Sequence, residues 1–463
     1  MSLRDDSRGL TAETLTCWTG GSWQVPPTEA CSGVTQDSRS VVPGMVYVAL
    51  RGARLDGHAF VASAFKRGAS AVVVAKDWAV PEALARMPLL RVDDPAKALL
   101  DIARGYRNMV PATWIGITGS AGKTTFKELL AAMLSGGGET AATQGNLNNA
   151  VGLPLSILAV PKTARYAVIE AGISHPGDMD PLADALLPDM AALSSIGPAH
   201  IAFFGSERAI AEEKGKLLRA VPQKGVVVLA PEIHEAAVLR ASCRCRVVTC
   251  SLHGSSADYV GKRLSDDSIQ VFHEVDEPVT LVTGLNGLHN ASNVLTAYAL
   301  ARECGLSPAQ ILTGLAAFKS PPMRWERVSL DHLQVINDAY NANPLSMKAA
   351  LITFAEMVSP GTKVVCVGDM LELGEASSAL HRQVGETVGN GPWRLLVGIG
   401  SGAASLVAGA VAAGFPRSRT ILFPTTEAAE RTVAQWIYPG DVVLLKASRG
   451  MHFETLVRAM RQV

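Results

Sequence analysis

Hydrophobic positions in this chain cluster into short runs with no polar interruption, each closed by a turn. "MVYVAL", "SAVVVA", "WIGITG", "YAVIEAG", "MAALSSIG" and "GVVVLAP" are of this kind, as are "LQVINDAY", "KVVCVGDM", "RLLVGIG", "RTILFP" and "DVVLLKAS" further on. A run that is apolar throughout predicts a strand buried on both faces, as in a parallel sheet. Helical stretches separate them. "HAFVASAFKRG" and "NGLHNASNVLTAYALAREC" are two, the second stopping at Gly305, a residue suited to a left-handed cap. Residues 245–282 alternate more, which predicts antiparallel strands.

Strand and helix alternate through most of the chain, so the expected fold class is α/β with three domains. Residues 1–108 form a small N-terminal α/β unit, and "DDPAKALLDIARGYRNMV" near its end reads as a helix serving as linker. Residues 109–318 form a central, mostly parallel sheet of the P-loop ATPase type. "KSPPMRW" then breaks the pattern, because its two prolines cannot continue a helix. Residues 319–463 form a Rossmann-like, doubly wound C-terminal unit.

A length of 463 residues fits several domains, and 48% hydrophobic content fills their cores. The 42 basic and 42 acidic residues cancel, so no overall field draws the protein to nucleic acid or an anionic membrane. No apolar run reaches the ~18 residues of a membrane span. "MSLRDDSRGL" lacks the apolar core of a secretory signal, and a cytoplasmic location is expected. Seven cysteines, an odd and sparse set, indicate free thiols. Cys243, Cys245, Cys250 and His253 do not match usual zinc spacings, and "RVVT" between two of them reads as a strand.

The densest chemistry lies in "WIGITGSAGKTTFKELLAAML". A buried strand, a turn of small residues and a helix would aim backbone N–H groups and a helix N-terminus at a phosphate. Gly119, Ser120 and Gly122 shape the turn, with Thr125 just inside the helix. Lys123 would neutralise terminal phosphates and Thr124 would offer a hydroxyl to Mg²⁺. The common G-x-x-x-x-G-K-[ST] spacing nevertheless fails by one residue. Glu170 closes another apolar run and would reach the same sheet edge, as a metal ligand or as a solvated strand end. His200, past "SSIGPA", reads from its chemistry as a loop histidine, and Lys214 in "AIAEEKGKLL" as an ordinary helical charge. "VINDAYNANPLSM" is polar beyond the needs of a connector, although Asx turns use the same residues. "KASRG" carries two cations suited to an anionic substrate or to water.

The chain resembles the Mur ligases of peptidoglycan synthesis. That family's loop, G-[IV]-T-G-[ST]-x-G-K-[ST], accounts for the spacing in "GITGSAGKTT". Further matching stretches are "DSRSVVPGMVYVALRGARLDGH", "TQGNLNNAVGLPLSIL", "AVIEAGISHPGDM", "IGPAHIAFFGSERAIAEEKGKLL" and "GLHNASN", followed by "INDAYNANPLSMKAAL", "VGDMLELGEASSALH" and "LLKASRGMHFE". "DAYNANP" and "GDMLELG" resemble the branch that adds D-alanyl-D-alanine. Three positions depart from the family pattern: Ala121 and Ser195 stand where asparagine is usual, and Leu288 where arginine is frequent.

The resemblance implies ATP-driven ligation of UDP-N-acetylmuramoyl-tripeptide to D-alanyl-D-alanine by a monomeric enzyme. It implies that Lys123 and the loop hold phosphates, and that Thr124 and Glu170 hold Mg²⁺. His200 would serve a second Mg²⁺, and Lys214 matches a lysine that is carbamylated in relatives. Asn290 and Asn293 would lie near adenine. Arg324, Asp338, Tyr340 and Asn341 would reach ATP from the C-terminal domain. Asp37, Ser38 and Arg39 would hold the UDP-linked substrate, and Lys446, Ser448 and Arg449 the dipeptide carboxylate. A folylpolyglutamate synthase is the weaker enzyme reading, disfavoured by "DSRSVVPG", and a P-loop switch without ligation is the alternative from another class.

Overall fold

The computed structural model describes residues 9–52, 55–254, 256–274, 276–359, 361–389 and 391–462. The leading residues read for a secretory signal fall largely outside these, as do Ala53 and Arg54 of the family stretch. Among the described residues no helix is long and apolar enough to cross a membrane.

Three sheets carry the fold of the described residues. The first orders Ser22–Trp23, Leu89–Val92, Ala71–Ala75, Met45–Val48 and Gly33–Thr35, parallel except where Ser22–Trp23 joins. The second has nine strands, with Thr113–Thr118 between Met190–Leu193 and Tyr166–Glu170. Its far edge, Tyr259–Arg263, Ser268–Phe272 and Val279–Val282, is antiparallel, as the alternation predicts. The third has six strands, with Val442–Lys446 between Leu333–Asn337 and Lys363–Gly368. Its edge strand, Glu326–Leu330, pairs antiparallel with Leu333–Asn337 and is not evident from the hydrophobic pattern. "ERVSL" leaves its side chains half-buried or exposed, so it lacks the apolar signature of its neighbours.

The helix Pro95–Met109 corrects the linker expectation. Leu99, Ile102 and Tyr106 are fully buried in one core with Leu153, Ile157, Leu182 and Leu186 of the central unit. Tyr106 Oη donates to the Val160 carbonyl at 2.7 Å, and Arg107 Nε donates to the Leu186 carbonyl at 3.0 Å. Each buried leucine or isoleucine of this core stabilises the packing by about 1.5–3 kcal/mol. The third sheet instead has cores of its own on its two faces, one around Phe354 and Leu396, the other around Phe453 and Val443.

Candidate active site

The turn after Thr113–Thr118 can be built only with glycine at two places. Gly119 has φ +149°, and an added Cβ would fall 2.0 Å from Ser194 Oγ. Gly122 has φ +79°, and its Cβ would sit 2.9 Å from Asn293 Nδ2. The backbone therefore winds tightly under the N-terminus of the helix Lys123–Ser135. Lys123 Nζ donates to the Gly119 carbonyl at 2.8 Å, which places its charge directly over the loop. Burial, and then Arg324 nearby, hold its pKa below the ordinary lysine value, while Glu170 opposes the shift.

Glu170 lies at the end of its strand and is 1% exposed. Thr124 Oγ1 donates to its Oε2 at 2.9 Å, and Asn148 Nδ2 donates to its Oε1 at 2.7 Å. Its own N–H donates to Thr143 Oγ1 at 3.0 Å. A buried carboxylate beside a hydroxyl and a phosphate-type loop is a hard oxygen donor set, and it fits Mg²⁺. Lys127 supports the arrangement from below: its buried ammonium donates to the Thr143 carbonyl. Neither Asn148 nor Lys127 stands out in the sequence, and only the asparagine-rich "QGNLNN" hints at the first.

A cavity of about 880 Å³ opens above this loop, between the central and C-terminal units. Arg324 spans it: Nη2 donates to Thr124 Oγ1 at 2.9 Å while the guanidinium stacks over Tyr340 at 4.1 Å. Asn343, which the sequence likewise does not single out, donates to the Ser120 carbonyl at 3.2 Å. Asp338, Asn341, Asn290 and Asn293 line the same cavity, as does His200. His200 holds a left-handed backbone, φ +57°, and its Nδ1 is 3.0 Å from Glu372 Oε2 of the C-terminal unit. Burial pushes the imidazole pKa down, with Glu372 opposing.

Lys214 is not the solvated charge its neighbours in sequence suggest. It is 2% exposed on the helix Glu207–Arg219, with no hydrogen bond or ion pair among the described residues. Burial first, and then Lys123, hold its pKa well below the ordinary lysine value, while Glu170 and Glu213 pull the other way.

The remaining expected residues lie elsewhere or are otherwise engaged. Lys446 Nζ contacts Asp338 Oδ2 at 2.7 Å and the carbonyls of Asp338 and Asn341 at 3.0 Å each. Three acceptors engage all three ammonium N–H groups, so none remains for a dipeptide carboxylate. Ser448 Oγ accepts from Leu371 N–H at 2.9 Å and is buried. Arg449 alone of that trio exposes its cation, which pairs with Glu454 at 3.0 Å. Asp37, Ser38 and Arg39 sit in the first unit, away from the cavity lining. The Arg39 side chain holds the Asp37 carboxyl down at about 2.

Two of the family departures prove to be neighbours. Ala121 N–H donates to Ser195 Oγ at 3.0 Å, and the Ser195 carbonyl accepts from Ser120 N–H at 2.8 Å. The small residues at both positions thus close one compact turn. Leu288 is 44% exposed at the cavity wall.

A loop shaped for phosphate, a buried oxygen donor set suited to Mg²⁺ and an arginine reaching in from a second α/β unit are the parts an ATP-dependent ligase site requires. The sequence matches three family descriptions in order: "Mur ligase family, catalytic domain" over residues 31–107, "Mur ligase middle domain" over 117–301 and "Mur ligase, glutamate ligase domain" over 323–449. The chain belongs to the Mur ligase family. Within it, the chain is 33% identical to the UDP-N-acetylmuramoyl-tripeptide–D-alanyl-D-alanine ligase of Bacillus subtilis, over 92% of each chain. Its fold superposes on a MurF crystal structure from Acinetobacter baumannii with a TM-score of 0.88, at 29% identity over 98% of this chain and 99% of that one. For the MurF ligase of Thermotoga maritima in complex with ADP the TM-score is 0.79, at 27% identity over 93% and 97%.

Proposed function

We propose that the protein joins D-alanyl-D-alanine to UDP-N-acetylmuramoyl-tripeptide at the expense of ATP, in cytoplasmic peptidoglycan precursor synthesis. The observation that carries this reading is Arg324 on Thr124 Oγ1 beside Glu170, which brings two α/β units to one phosphate loop. A carboxylate is a poor electrophile, and phosphorylation gives it a leaving group. A terminal carboxylate oxygen of the tripeptide attacks the γ-phosphorus, ADP leaves and an acyl phosphate forms. The dipeptide amine then attacks the acyl carbon. The tetrahedral intermediate collapses, inorganic phosphate departs and the amine proton is lost to solvent.

The chain's own residues align and neutralise. Lys123 and the loop N–H groups hold the β- and γ-phosphates, and Arg324 adds positive charge from the opposite wall. Tyr340 fixes that guanidinium by stacking. Mg²⁺, when bound, neutralises phosphate oxygens and polarises the γ-phosphoryl group. Thr124 and Glu170 would hold one ion. His200 and a carbamylated Lys214 would serve a second. Asn290 and Asn293, which line the same cavity, are assigned to the adenine side. Asp37, Ser38 and Arg39 are assigned to the UDP-linked substrate and Arg449 to the dipeptide carboxylate, which divides substrate binding among the 1–108, 109–318 and 319–463 segments of a monomer.

Phosphate release from ATP tests the reading. Rapid turnover is expected only with D-alanyl-D-alanine and a UDP-linked tripeptide both present, assayed in its lysine and diaminopimelate forms. ATP hydrolysis that is indifferent to both would instead fit a nucleotide switch. Because ATP contacts divide between Lys123 and Glu170 on one side and Arg324 on the other, closure of the cleft is expected to accompany ligand binding. Small-angle scattering should show a smaller radius of gyration with a non-hydrolysable ATP analogue and UDP-linked peptide than without. An open free protein that does not compact with both ligands would contradict it.

A further inference from the structure

The stretch "VGDMLELGEASSALH", residues 367–381, has no part in the chemistry above, yet its loop is pinned at successive residues. Asp369 Oδ1 accepts from Ala403 N–H at 2.9 Å, and the Asp369 carbonyl accepts from Ser448 N–H at 3.1 Å. Met370 N–H donates to His381 Nε2 at 2.9 Å, so the proton of this fully buried ring sits on Nδ1, which donates to the Ser377 carbonyl at 2.8 Å. Leu371 N–H donates to Ser448 Oγ at 2.9 Å.

The next residue, Glu372, is held at φ +63°, a conformation that a side-chain-bearing residue rarely keeps without such support. Gly374, at φ +56°, lets the loop approach the helix Ile201–Phe204, where an added Cβ would sit 2.9 Å from Ala202 Cβ. The outcome is a carboxylate from the C-terminal unit 3.0 Å from Nδ1 of His200 in the central unit. Both residues are in left-handed backbone, each delivered to the other across the cleft.

We propose that Glu372 is a positioning residue that acts through His200: its carboxylate accepts from Nδ1–H, which leaves Nε2 as the lone-pair nitrogen and ties the ring's orientation to the closed cleft. A carboxylate on one ring nitrogen is how proteins commonly fix an imidazole that serves a cation with the other. The pair lies 3.0 Å apart without hydrogen-bond alignment in this structure, and a rotation of the ring or the carboxylate would complete the bond. Glu372 is 64% exposed on its side chain, so the contact adds little to stability and works through orientation. Only the C-terminal unit supplies it, so an open cleft has no such partner for His200. The inference rests on the reading of His200 as a metal-side residue.

The test compares Glu372→Ala, Glu372→Gln, His200→Ala and the double variant His200→Ala/Glu372→Ala. Glu372→Ala is expected to lower kcat about tenfold with KM for ATP and dipeptide changed by less than about twofold, and to raise the Mg²⁺ concentration needed for half-maximal rate. Glu372→Gln keeps an acceptor oxygen and is expected to retain most of the rate. By small-angle scattering, Glu372→Ala saturated with UDP-linked tripeptide and an ATP analogue should be less compact than the wild type. In the His200→Ala background the Glu372 substitution should change compaction no further. Equal loss in the Gln and Ala variants, additivity with His200→Ala, or no change in kcat and compaction would each overturn the proposal. Full activity of His200→Ala alone would overturn the reading of His200 instead, whatever Glu372 does.

Discussion

Lys123→Ala is expected to lower kcat by ~10²-fold or more while leaving the fold intact, the loss typical when one preorganised charge stabiliser is removed. The side chain extends from the first turn of its helix and its ammonium rests on the Gly119 carbonyl, over the loop rather than in the core. Alanine there opens no cavity, so circular dichroism and melting temperature should match the wild type. The charge that accumulates as ADP leaves would then have lost its ammonium and would face Arg324, the loop N–H groups and bound Mg²⁺. Lys123→Arg is expected to restore little, since a planar fork does not replace a compact ammonium in so tight a turn. Near-normal turnover in a folded Lys123→Ala protein would remove the phosphate-binding assignment.

Lys214→Ala is expected to lose activity by about tenfold or more, in the range seen when groups supporting a metal site are removed. A bare ammonium beside the metal-binding set would repel Mg²⁺, whereas a carbamate reverses the sign and presents oxygen donors. Carbamylation requires the neutral amine, and the depressed pKa of this buried lysine raises the neutral fraction near pH 7. Acetate should therefore partly restore Lys214→Ala, and bicarbonate should reactivate wild-type protein stripped of CO₂. Full activity of the variant without additive would make Lys214 catalytically irrelevant. Loss in the variant with no rescue by acetate would fit a packing role for Lys214 equally well.

Strands that are apolar at every position are legible in the sequence itself. "YAVIEAG" and "DVVLLKAS" predict strands buried on both faces, and they are such strands. The edge strand Glu326–Leu330 escapes because one-sided exposure erases that signature. At the site, the glycine turn declares itself through its place between an apolar strand and a helix, although the common spacing fails by one residue. Lys214 does not, since "AEEKGKLL" reads as a charged helix face and only tertiary packing shows that its lysine is inside. Lys446 misleads in the opposite direction: "KAS" suggests a free cation, but its carboxylate partner Asp338 lies 108 residues earlier. Glu372 and His200 meet across an even longer loop of chain, through backbone angles that composition does not reveal.

The core shared by the helix Pro95–Met109 and the central sheet has a mechanical meaning. With Leu99, Ile102 and Tyr106 sunk among Leu153, Ile157 and Leu182, the first two units are built to move as a single stator, which would leave the C-terminal segment, with cores of its own, as the arm that closes. A substrate anchored on the stator would then keep a constant bearing toward the phosphate loop as the cleft closes. Each turnover would then have one docking coordinate to search, the arm's, instead of two.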